Sequence, residues 1–114
     1  MKDDRVYLEH MRDSLVRIAA YTIDGQARFL AESLIQDAVL RNLQTLAESS
    51  QRLSEGRKAS YTSIDWRAIS GFRNVLVHNY LGLNMARIWQ IVETDLPPLR
   101  ESIDVMLAEL DEQE

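Results

Sequence analysis

Arg73, His78 and Tyr80 fall within the eight residues Arg73-Asn74-Val75-Leu76-Val77-His78-Asn79-Tyr80. Histidine exchanges protons near neutral pH. Arginine is a permanent cation whose planar fork matches phosphate oxygens. Tyrosine adds a hydroxyl that can be modified. This set suits cleavage of RNA by attack of a 2′-hydroxyl on the adjacent phosphate. His78 would act as general acid or base, and Arg73 would stabilise the charge that develops on the phosphate. That route requires no metal and no cofactor.

Other chemistries lack their parts. The chain has no cysteine, so it has no thiolate ligand, no cysteine nucleophile and no disulfide. Its two histidines, His10 and His78, cannot make a three-histidine metal site within one chain. There is no glycine-rich phosphate loop and no His-Glu-x-x-His. A plainer reading of the motif stands beside the catalytic one. An Arg and a His near a helix C-terminus complement the macrodipole, and Tyr80 packs on the core with its hydroxyl exposed. His10 reads as structural, and Trp66 and Trp89 as core or interface residues.

Helical geometry constrains the pair. At about 100° per residue, His78 lies about 140° around the axis from Arg73. Either the helix loosens before Gly82, or the two groups close on a phosphate from two sides, or the site is shared between subunits. Asn74 is four residues before His78 and on its face, so its side chain is placed to bond a ring nitrogen and fix the tautomer. Tyr80 returns to the face of Arg73 if the helix persists. Acid–base cleavage wants an acid and a base, and one chain offers one suitable histidine. A symmetric homodimer would bring two copies of His78 into one cleft.

The elements that must position these groups are helices. Leu8, Met11, Leu15, Ile18 and Tyr21 make an apolar stripe on a helix over roughly residues 3–22. Asp24-Gly25 marks a turn. A second helix is predicted over about 26–54, with Leu30, Leu34, Ile35, Ala38, Val39, Leu43, Leu46 and Leu53 as apolar positions. Asp37, Arg41 and Glu48 share one of its faces, either as a solvated stripe or as a polar strip along a cleft. Residues 55–60 read as the main loop. Asp65 caps a third helix, with Ile64 and Ile69 as a hydrophobic staple, running to His78 or Tyr80 and stopping at Gly82. Asn84 caps a fourth helix carrying Met85, Ile88, Ile91 and Val92. Pro97 and Pro98 then demand a break or kink. A last helix carries Leu99, Ile103, Met106, Leu107 and Leu110. The expected fold is all-α, an antiparallel bundle of four to five helices with no strand.

The 114 residues suit one domain spanning 1–114, with 46% hydrophobic residues for a core. A net charge of −5 argues against broad binding to a nucleic-acid backbone, while leaving room for a small basic cleft or a basic protein partner. The charged start, Met1-Lys2-Asp3-Asp4-Arg5, lacks the apolar stretch of a signal peptide. No run approaches the roughly 18 apolar residues of a membrane span. The cytoplasm is therefore the expected location.

Arg73-Asn74-x₃-His78 resembles the Arg-polar-x₃-His signature of HEPN domains. Extended through Asn79-Tyr80, it is similar to the Arg-x₄-His-x-Tyr form of HepT-type toxins, the DUF86 family. The blocks Gln36-Asp37-Ala38-Val39-Leu40-Arg41-Asn42-Leu43, Asp65-Trp66-Arg67, Gly71-Phe72, Ile88-Trp89 and Asp95-Leu96-Pro97-Pro98-Leu99 carry the likeness over nearly the whole chain. It departs at Ala47-Glu48-Ser49, where many relatives have Gly-Glu-Ala. The resemblance implies a HEPN-like helical fold and a homodimer with a composite cleft. It also implies a metal-independent ribonuclease acting as the toxin of a toxin–antitoxin pair. The implied partner is a minimal nucleotidyltransferase antitoxin, which can transfer AMP to the motif tyrosine, here Tyr80. The alternatives are a non-catalytic HEPN module that binds nucleotide or a protein partner, and a helical scaffold with a degenerate site.

Overall fold

The computed structural model describes residues 2–78 and 84–113; Tyr80 and Gly82, and the side chains of Asn74 and His78, lie outside the described residues. Among the described residues the chain is all-α, with long helices packed antiparallel as the apolar periodicity requires. Helix α1, Lys2–Tyr21, buries Leu8, Met11, Leu15 and Ile18 on one stripe. Tyr21, predicted to continue that stripe, is at the surface because the helix ends there. Thr22 caps the end by donating its hydroxyl to the Ile18 carbonyl at 2.8 Å. Gly25 then takes φ 94°, a left-handed backbone that favours glycine, and starts α2, Gln26–Ala31.

The single helix expected over 26–54 is interrupted. Glu32 adopts an extended backbone, φ −115° and ψ 111°, between α2 and α3, Ser33–Gln51. The break orphans carbonyls at the end of α2. Gln36 recovers two of them, its amide donating to Phe29 O at 2.9 Å and Leu30 O at 3.2 Å. The bend turns Phe29 fully into the core, against the Trp89 ring at 5.5 Å. It also leaves Leu30 and Leu34, both predicted core positions, exposed. Leu53 is buried as expected but lies beyond the end of α3.

The predicted loop at 55–60 contains a short helix instead, α4, Glu55–Ala59. Ser54 caps it, its hydroxyl oxygen accepting from the Arg57 amide at 3.2 Å. Helix α5, Trp66–His78, follows. Helix α6, Met85–Gln90, is capped by Asn84, whose side-chain oxygen accepts from the amides of Ala86 and Arg87. Pro97 and Pro98 produce no gap in the helical path. A π turn, Ile91–Asp95, precedes them and leads directly into α7, Leu96–Gln113. The Leu96 amide reaches back five residues to Ile91 O, and the two prolines then have no amide to place.

Tertiary bonds gather four helix ends at one end of the bundle. Asp4 at the start of α1 accepts from the Ser54 amide, just past α3, at 2.9 Å. Arg5 pairs with Asp111 near the end of α7 at 2.8 Å. The Tyr61 hydroxyl donates to Glu109 of α7. The indole N–H of Trp66, at the start of α5, donates to the carbonyls of Lys58 and Tyr61. From there α5 runs back along α3, carrying Arg73 and His78 towards the opposite end. The core between the helices is filled by Met11, Val39, Leu43, Leu46, Ile103 and Met106, all fully buried. Among the described residues, no helix is long and apolar enough to cross a membrane.

Candidate functional site

Helix α5 is fixed at its start and on one face. Asp65 is its N-cap, with Oδ1 accepting from the Ala68 amide at 2.9 Å. Ile64 and Ile69 flank that cap as the staple pattern predicts, Ile69 buried and Ile64 packed on the core edge. Ile69 and Phe72 are buried and Leu76 is half-buried, so these positions mark the face turned to the bundle.

Arg73 is exposed at the flank of that face. The helix is continuous from Trp66 to His78, and the stretch before Gly82, where one reading expects it to loosen, lies outside the described residues. By α-helical geometry, positions 74 and 78 share a face roughly opposite the buried one. Arg73 and His78 therefore share one helix, with their backbone positions about 140° apart around its axis. The expected Asn74–His78 bond and the placement of Tyr80 lie outside the described residues.

Among the clefts on the described surface are one of about 500 Å³ and one of about 380 Å³. The smaller lies between the first half of α5 and the start of α7, lined by Asp65, Ala68, Phe72, Asp95 and Pro98. The larger lies between α1 and α7. Arg73 is exposed and lines neither of these two clefts.

The other residues singled out in the sequence divide between surface and core. His10 is exposed, its ring edge-on to Tyr7 at 6.3 Å. Trp66 anchors the start of α5, and Trp89 is core. Asp37 and Arg41 are exposed and make no ion pair with each other, while Glu48 accepts from Gln44 at 3.2 Å. The strip is exposed to solvent in the single chain. No three His, Asp or Glu side chains converge to hold a metal ion among the described residues.

One polar cluster had no signal in the sequence. Asp4 is only 3% exposed and accepts from the Ser54 amide, the Ser54 hydroxyl at 2.8 Å and Arg57 Nε at 3.4 Å. Burial alone raises its pKa. The bonds from Ser54, with the bond and charge of Arg57, outweigh burial and hold the carboxyl below its ordinary value. In sequence Asp4 is one of several acids in the first turn of a helix, and nothing links it to a serine fifty residues on. Burial and the Glu109 carboxylate push the Tyr61 hydroxyl above its ordinary value, which keeps it a donor to that carboxylate.

Comparison with known proteins supplies the family. The family model described as "Ribonuclease HepT-like" matches residues 11–106. A Methanocaldococcus jannaschii protein named "Gamma-glutamylcyclotransferase and putative RNase" is 32% identical, over 96% of this chain and 50% of that protein. The chain thus spans half the length of that relative. A second protein of the same organism, named "Putative RNase", is 24% identical over 92% of this chain and 97% of its own length. A Thermococcus cleftensis protein named "Probable ribonuclease HepT" is 30% identical over 82% of this chain and 86% of its own. No solved structure matches the chain. With a family model covering most of its helices, the chain belongs to the HepT-like ribonuclease family.

Proposed function

We propose that this chain is a metal-independent endoribonuclease, with Arg73 and His78 as catalytic residues and a homodimer as the active form. The observation that carries the reading is the placement of both residues on α5, a helix capped by Asp65 and anchored by Ile69 and Phe72, with Arg73 exposed. Family membership supports the same reaction class.

His78 takes the proton of the RNA 2′-hydroxyl as its oxygen attacks the adjacent phosphorus. The bond from phosphorus to the 5′-oxygen breaks, and that oxygen receives a proton from the imidazolium of the partner's His78. The products are a 2′,3′-cyclic phosphate and a free 5′-hydroxyl. Arg73 donates to the non-bridging oxygens, where charge develops. Asn74 supports His78 by fixing its tautomer.

The protein serves as the toxin of a toxin–antitoxin pair in the cytoplasm, held in check by a minimal nucleotidyltransferase. That partner adds AMP from ATP to the Tyr80 oxygen and releases pyrophosphate, while the phenolic proton leaves. The adduct places bulk and a negative charge beside the catalytic pair, where it repels RNA phosphate. The test is expression of the chain alone and with its neighbouring nucleotidyltransferase. Arrested growth and fragmented RNA are expected without the partner, with recovery and AMP mass on Tyr80 in its presence. Normal growth and intact RNA in both cultures would overturn the toxin reading.

A further inference from the structure

The charges of this chain are unevenly placed. From Trp66 to Val92 the sequence holds three arginines, Arg67, Arg73 and Arg87, and no aspartate or glutamate, so all 18 acidic residues lie outside that stretch. Of the long helices described, α5 alone carries no carboxylate. A net charge of −5 repels a polyanion from most of the surface, and α5 is the long element spared.

Arg67 belongs to the same face as His78. Position 67 lies about three turns before position 78, within about 20° of it around the axis and about 16 Å away along it. Arg67 is exposed and makes no ion pair among the described residues. The nearest carboxylate in sequence, Asp65, is committed to the Ala68 amide. The Arg67 fork is thus available to phosphate oxygens.

Gly71 lies between the two, also within about 20° of His78 around the axis. A Cβ at Gly71 would meet no atom within 4 Å among the described residues. Glycine inside a helix is destabilising relative to alanine, and no packing among the described residues demands it here. A helix surface without a side chain lets another backbone approach closely. The face therefore presents, in line, a cation, a bare stretch of helix and the candidate acid–base group.

We propose that single-stranded RNA runs along this face of α5, its sugar–phosphate backbone crossing at Gly71 and a phosphate remote from the scissile one held by Arg67. The inference rests on the ribonuclease reading of His78 and names its substrate class. The single strand follows from the chemistry. An A-form duplex holds the 2′-oxygen out of line with the leaving 5′-oxygen, whereas a free strand can bring them into line. A phosphate contact fixes register and carries no base identity. Arg67, Ser70 and Gly71 offer no apolar anchor for a protein partner.

The test is fluorescence anisotropy of labelled oligouridylate with the full-length His78→Ala protein, which binds without cutting. Adding Arg67→Gln should weaken binding roughly tenfold and lower the salt slope by about one, with Arg67→Lys keeping most of the affinity. Gly71→Ala should weaken binding about threefold or more while raising the thermal midpoint, a combination that a purely structural glycine would not give. Arg17→Gln removes the same charge from exposed α1 and should stay within about twofold. Progressive shortening of the oligouridylate should lose affinity in a step that Arg67→Gln lacks. Unchanged affinity in Arg67→Gln, an equal loss in Arg17→Gln, or equal binding of an RNA duplex would overturn the proposal. Wild type that shows this binding pattern but leaves RNA intact would remove the ribonuclease reading and keep the track. Wild type that cuts RNA, with binding indifferent to Arg67, would remove the track alone.

Discussion

Arg73 and His78 stand on one unbroken helix, their Cα positions about 140° apart around its axis and about 7.5 Å along it. Arg73 flanks the face that Ile69 and Phe72 bury, and position 78 lies nearly opposite that face. The backbone of one chain therefore points the two positions in different directions. In our reading a second copy supplies what one chain lacks, through its own Arg73 and His78. Specific RNA-cleaving activity should then fall on dilution, in step with dissociation of the dimer measured by analytical ultracentrifugation. Undiminished activity per chain in a sample shown to be monomeric would remove the shared site.

Asn74 shares the face of His78, one turn before it. The proposed bond between them predicts a single neutral tautomer of His78 in the ¹⁵N ring shifts of the wild-type protein. Asn74→Ala should give a tautomer mixture and lower kcat about 10-fold or more, in the range of general acid–base effects. Unchanged ring shifts with full activity would show that Asn74 does not act on His78.

Acid should loosen the end of the bundle where Asp4 meets Ser54 and Arg57. The folded-state pKa of Asp4 lies below its unfolded value of 3.8. The unfolded state then binds the proton first as pH falls. The stability Asp4 contributes is complete above its unfolded pKa and is lost as pH falls through the lower folded value. Asp4→Asn should cost about 2 kcal/mol at neutral pH, the scale of hydrogen bonds to a buried charge. It should also flatten the fall in urea midpoint below about pH 4. A variant that keeps the wild-type acid slope would assign that slope to other carboxylates.

The Asp65 cap separates stability from catalysis. Asp65→Ala removes the side-chain acceptor at the start of α5 and should cost about 1 kcal/mol of unfolding free energy. Arg73 and His78 lie about two and three and a half turns away, so kcat should stay within about twofold of wild type. A large loss of kcat at unchanged stability would mean that Asp65 itself contacts RNA.

Much of this architecture was legible from apolar spacing and caps. Leu8, Met11, Leu15 and Ile18 on α1, and Leu99, Ile103, Met106, Leu107 and Leu110 on α7, are buried as their periodicity predicts. Asp65 and Asn84 cap the helices they precede. In two of the failures a tertiary contact outweighed a local pattern, and in a third the backbone itself adjusted. Nothing at Glu32 breaks a helix on propensity alone; the burial of Phe29 against Trp89 and the Gln36 amide make the break tolerable. Pro97 and Pro98 predicted an interruption, and the helical path instead continues through a π turn just before them. The short helix α4 depends on Ser54, which is held by Asp4 from the far end of the sequence. Arg73, Asn74 and His78 share α5 as their spacing implied, while the contacts between their side chains are not something spacing can supply.

The central claim is tested most directly by incubating purified wild-type, Arg73→Ala and His78→Ala proteins with one RNA in the presence of EDTA. Fragment ends are read by mass spectrometry. The account predicts wild-type fragments ending in 2′,3′-cyclic phosphate, unaffected by EDTA, and a fall in rate of at least about 100-fold in each variant. Cleavage by His78→Ala at the wild-type rate, or wild-type cleavage abolished by EDTA, would contradict it.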